Sequence, residues 1–170
     1  MKRLIVALLL SASSSMAFAA DNACLSKKYD AYIDASLHWY EDLAKLTAEQ
    51  YPDLKEVSDW FLNGRVNHFE LNRAAVRYYL ENDATKVASG QPVEAWLQLE
   101  QKDIKVLASR SDELGQLAQV TFNDRQSKPH EKNYELRSAF ADLLSHPTKI
   151  DSALQRYNKA IKELESINCK

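Results

Sequence analysis

Apolar residues recur every three or four positions along most of this chain, and four prolines interrupt the recurrence. That spacing is the signature of helices with one buried face. The first stretch, from about Asn22 to Gln50, carries a single stripe through Leu25, Tyr29, Tyr32, Ile33, Leu37, Tyr40 and Leu43. Pro52, Pro92, Pro129 and Pro147 each precede another helix-period stretch. Proline suits the first turn of a helix, where its missing N–H has no intrahelical partner to lose. The pattern therefore predicts further helices over about Asp53–Asn82, Val93–Arg125, Glu131–Leu144 and Thr148–Asn168. The last shows one apolar face through Ile150, Leu154, Tyr157, Ile161 and Leu164. No stretch alternates with the period of two that marks a half-buried strand.

These five segments become four long rods if the last two are one rod kinked at His146-Pro147. Rods of similar length joined by short links pack as an antiparallel, up-down bundle. The expected fold is thus all-α, with the stretch Asp83–Gln91 as its longest connection.

The ends of the chain sharpen this expectation. Lys2 and Arg3, the apolar run Leu4–Leu10 and the Ala17-Phe18-Ala19 site read as a secretory signal removed after Ala19. The apolar run is too short to span a bilayer. Residues 20–170 are then a single domain, soluble and exported, and the form of the signal points to the periplasm. Thiols are oxidised there. Only two cysteines are present, Cys24 and Cys169, so one intramolecular disulfide is expected. An up-down bundle brings the start of rod one and the end of rod four to the same end, which such a bond requires.

Rods two and three depart from a simple amphipathic plan. The second has one stripe through Val57, Phe61, Gly64, His68, Leu71, Ala75 and Tyr78, and another through Leu62, Val66, Phe69, Arg73, Val76 and Leu80. The third also reads as apolar on two stripes, one containing Trp96, Asp103 and Arg110. Arcs this wide exceed what a surface helix needs. Either the two rods form the hub of the bundle, or they leave a groove for a partner or a homodimer face. The charges on the second stripes are expected to pair, Asp103 with an arginine, or else Arg73 and Arg110 receive an anionic group. Arg73, Trp96, Asp103 and Arg110 are accordingly the candidate binding residues.

Composition narrows the chemistry. Loss of Lys2 and Arg3 with the signal takes the net charge from −2 to −4, which argues against nucleic acid as a partner. Both methionines precede residue 20, so no axial Met would remain for haem. A covalent haem motif, a Glu-x-x-His pair, a phosphate loop and a nucleophile elbow are all missing. Of the four histidines only His68 falls on a core stripe. No cofactor and no catalytic residue is indicated. One short stretch, Leu46-Thr47-Ala48-Glu49-Gln50, resembles the L-T-x-x-Q motif of the Spy-like periplasmic stress chaperones, which are small helical proteins. It spans five residues and occurs once, where that family shows it twice. Those proteins are also methionine-rich and cysteine-poor, and this chain is neither. Thr47 and Gln50 equally fit a capping box. The expected function is a non-enzymatic periplasmic module that binds a protein partner or small ligand through rods two and three. A stress chaperone or adaptor is one alternative, and a cofactor-binding or catalytic bundle the other.

Overall fold

A computed structural model describes residues 14–169, and these form six α-helices and no strands. The first thirteen residues of the expected export signal lie outside the described residues. Helix α1 spans Ser14–Gln50, and a short 3-10 turn at Pro52–Leu54 leads into α2, Lys55–Asn82. After an irregular stretch come α3, Gln101–Leu107, and α4, Glu113–Gln126. Helices α5, Asn133–Ser145, and α6, Pro147–Glu165, meet at His146. As expected, Pro147 opens its helix, and Pro52 opens the turn that feeds α2.

The expected continuous helix over Val93–Arg125 is not formed. The apolar spacing of Val93, Trp96 and Leu97 belongs to a 3-10 turn, Val93–Ala95, and an irregular segment that buries all three against the main core. Helix α3 starts afresh at Glu100, which forms a reciprocal capping box with Asp103. Helix α4 starts at Asp112, whose Oδ1 accepts the Gly115 N–H at 3.0 Å. Between them Ser109 donates to the Val106 carbonyl. Short polar side chains that bond the nearby backbone compete with helix continuation and favour caps. Gly115 fixes this corner. A Cβ there would collide with the backbone carbonyl of Arg110. The width inferred for the third apolar arc came from drawing separate elements on one helical wheel.

A second correction concerns Thr47. It lies within α1, is fully buried, and donates to the Leu43 carbonyl at 2.8 Å. It is not an N-cap, so the capping-box reading of Thr47 and Gln50 fails.

Helix α2 packs on α1 along one side and on α4 along another, with α5 beside its first turns. The main core joins Tyr29 and Ile33 of α1, Leu71, Ala75, Val76 and Leu80 of α2, and Ile104 and Ala118 of α3 and α4. The stretch 83–100 closes over it with Val87, Val93, Trp96 and Leu97. Each large aliphatic side chain so buried is worth about 1.5–3 kcal/mol. Two smaller clusters lie toward the other end of α2. One holds Leu54, Val57, Leu136 and Ala139, and the other Leu43, Leu143, Ile150 and Ala153.

The disulfide is formed as expected, with the Cα atoms of Cys24 and Cys169 5.6 Å apart. Asn22 donates to the Leu80 carbonyl and Lys28 to that of Ile167. The start of the disulfide-bonded region, the end of α2 and the end of α6 therefore meet at one place.

Candidate functional site

The four residues singled out from the sequence have separate roles. Arg73 donates to Asp34 at 2.6 Å, to Glu70 at 3.0 Å and to the Asp30 carbonyl at 3.2 Å, tying α2 to α1. Burial disfavours its charge, but the Asp34 and Glu70 hydrogen bonds outweigh this and hold its pKa above the ordinary value. Arg110 is bound to Asp112 and lies over the Tyr78 ring, 4.2 Å from its centre. Asp103 makes no ion pair with an arginine among the described residues. Its carboxylate instead accepts the Glu100 backbone N–H at 2.9 Å. Trp96 is 2% exposed, stacks on Tyr29, and donates its indole N–H to the Gln91 carbonyl at 2.8 Å. Arg73 and Arg110 thus have different carboxylate partners, and Trp96 presents almost nothing to solvent.

An open cleft lies elsewhere, between the N-terminal half of α2 and the C-terminal half of α4. Its volume is about 380 Å³. Helix α2 lines it with Trp60, Phe61, Asn63, Gly64, Arg65, Asn67 and His68. The other wall is Thr121, Asp124, Arg125 and Ser127. The helical period sets this face, since residues three and four apart share one side. Two hydrogen bonds join the walls. Thr121 donates to the Asn67 carbonyl at 3.1 Å, and the Asn67 amide donates to Asp124 at 2.7 Å.

Gly64 sits in the middle of a long helix, where glycine costs about 0.5–1 kcal/mol relative to alanine. Neither packing nor backbone conformation explains it. A Cβ at this position would meet nothing within 4 Å, and its φ is not positive. The missing side chain leaves open space in the cleft wall. Beside it the aromatic surface is broad. Trp60 is 38% exposed and lies 5.8 Å from the His130 ring, and Phe61 packs on Phe140 at 4.9 Å.

Two cations line this cleft without carboxylate partners among the described residues. The Arg65 guanidinium lies 4.9 Å from the centre of the Phe61 ring and 5.2 Å from that of Tyr40. Arg125 donates to the Leu99 carbonyl at 3.2 Å, and its Nη2 stands 3.5 Å from Nδ1 of His68. His68 is largely buried. Burial first, and then the charges of Arg125 and Arg65, push its pKa down to about 4. The imidazole is therefore neutral at pH 7. Its Nε2 contacts the Asn72 amide nitrogen at 3.3 Å. A neutral ring accepts at only one nitrogen. A guanidinium can only donate, so Nδ1 accepts from Arg125 and the hydrogen sits on Nε2, where the Asn72 Oδ1, buried and otherwise without a partner, accepts it once that amide is turned over.

A second groove, about 240 Å³, runs between α1 and α6 past Trp39 and Tyr157. Its arginine, Arg156, is already paired with Asp42 at 2.7 Å. No group of three or more His, Cys, Asp or Glu among the described residues is arranged to hold a metal ion. No described helix is long and apolar enough to cross a membrane.

Nothing matches this chain among protein-family models, curated proteins or solved structures.

Sequence reasoning put His68 and Gly64 on a core stripe and passed over Arg65 and Arg125. The available signal was the glycine, since a mid-helix glycine on an apolar stripe has few explanations besides close approach or empty space.

Proposed function

We propose that the protein is an exported, non-enzymatic binding module of the periplasm, and that it holds a small ligand in the cleft between α2 and α4. Its frame is an up-down bundle of four rods, with α3 and α4 sharing the third and α5 and α6 the kinked fourth. The packing of α2 between α1 and α4 supports that arrangement. Gly64 carries the functional reading. A helix-weakening residue with no structural use borders a cleft whose volume suits a small molecule.

The three tryptophans make a convenient test. In protein labelled with 5-fluorotryptophan, Trp60 reports on the cleft, Trp39 on the α1–α6 groove and Trp96 on the core. Titration with the small-molecule fraction of a periplasmic extract should move the Trp60 fluorine signal and leave that of Trp96 in place. Gly64→Leu, which fills the cleft from a helix-compatible position, should abolish the response while the Trp96 signal stays native. A folded Gly64→Leu protein that responds like the wild type overturns the reading.

A further inference from the structure

The cleft is lined by more positive charge than the protein neutralises. Arg73, Arg77, Arg110 and Arg156 each hold a carboxylate of this chain. Arg65 and Arg125 hold none among the described residues, and both act on His68. Arg137 also holds none, but it does not line the cleft. Arg125 donates only to neutral acceptors, Nδ1 of His68 and the Leu99 carbonyl, and Arg65 lies over the Phe61 and Tyr40 rings, so neither guanidinium is neutralised. Asp124 is the one carboxylate of the lining, and Asn67 occupies one of its oxygens. Two guanidiniums against one carboxylate leave the cleft one positive charge in excess. A monoanion balances that excess, whereas a doubly charged phosphate overshoots it.

We infer that the ligand is a monocarboxylate with a flat apolar body, its carboxylate received by Arg65 and Arg125 beside His68 and its body laid against Trp60, Phe61 and Gly64. This names the ligand class for the cleft and rests on the binding reading above. Guanidinium favours carboxylate through paired, charge-assisted hydrogen bonds. Aromatic faces next to a helix with no side chain at one position accept a planar ring. Because binding places a negative charge beside His68, it also makes protonation of that ring easier.

Two probes of equal shape separate charge from fit, namely 2-naphthoate and its neutral counterpart 2-naphthamide. In the 5-fluorotryptophan protein, 2-naphthoate should shift the Trp60 signal saturably and bind at least about tenfold more tightly than the amide. Arg65→Gln and Arg125→Gln should each weaken 2-naphthoate by about tenfold or more and bring the two probes close together. Arg73→Gln should change neither. The His68 ring protons should titrate at higher pH with 2-naphthoate bound than without it. Equal binding of acid and amide overturns this inference while leaving the cleft a binding site. Acid binding that survives both arginine changes also overturns it, as does inorganic phosphate binding more tightly than 2-naphthoate. Failure of 2-naphthoate to move Trp60 overturns it as well, and the extract titration then decides separately whether the cleft binds anything.

Discussion

The two halves of α2 draw on similar residues and meet opposite fates. From Phe69 to Leu80 the apolar arc is covered on all sides, by Tyr29 and Ile33 from α1, by Ile104 and Ala118 beyond, and by the folded stretch 83–100 above. From Trp60 to His68 the arc continues, yet the facing wall brings Thr121, Asp124 and Arg125 instead of aliphatic side chains. A helix's own pattern therefore states how much surface needs cover, and the neighbours decide whether the cover is dry packing or an open cleft. Glycine marks the same contrast. Gly115 is required because a backbone carbonyl presses on it, and Gly64 faces empty space.

The strongest way to break the comparison is to loosen the closed end. Replacing Cys24 and Cys169 by serine should lower stability by about 2–5 kcal/mol, since the bond closes a loop of 145 residues. Urea unfolding of the oxidised protein and the double variant measures this, and an unchanged midpoint would show that packing alone seals that end.

The next largest effect belongs to the open half. His68 is pushed down to about 4 from an ordinary 6.5, so between those values the unfolded chain binds a proton that the folded one refuses. Stability from this residue is complete above about pH 6.5 and is lost as pH falls toward 4, by about 3 kcal/mol at most. His68→Gln removes the titration, and its stability should vary less between pH 7.5 and pH 4.5 than that of the wild type. Parallel profiles would mean that burial and the two guanidiniums do not hold the ring neutral in the folded protein.

The glycines give the finer test, and the two substitutions should have opposite signs. Gly115→Ala forces the Arg110 corner apart and should cost about 2–3 kcal/mol, read as a fall in Tm. Gly64→Ala meets no atom and should stabilise the protein by about 0.5–1 kcal/mol through helix propensity. A destabilised Gly64→Ala would show that the cleft wall is more crowded than its geometry indicates.

Much of the architecture was legible in the chain because it depends on local signals. Period and proline position located α2, α5, α6 and the end of α1 to within a few residues, although α1 starts at Ser14, eight residues before the expected Asn22, and two cysteines allowed a single intramolecular pairing. The break at residues 108–112 was not read, although Ser109, Ser111 and Asp112 are the residue types that cap helices. The apolar spacing on either side continued through them and concealed the corner. Trp96 illustrates the same failure, because i, i+3, i+4 spacing arises whenever a short loop buries consecutive turns against a core. The candidate site was hidden for another reason. Arg65 and Arg125 are 60 residues apart, and their lack of carboxylate partners is a property of the folded surface. From the sequence, Arg73 looked the more exceptional of the arginines because it sits on an apolar stripe, yet Asp30, Asp34 and Glu70 satisfy it.

The bond between Cys24 and Cys169 also has a mechanical consequence. Tension applied between those two residues travels across a single covalent link and never enters the helices it encloses. In the reduced protein the same pull would peel the end of α6 away from the start of the enclosed part of α1, with only noncovalent contacts to resist it. Thiol oxidation thus converts the helices between the two cysteines from the element that carries load between them into one shielded from it.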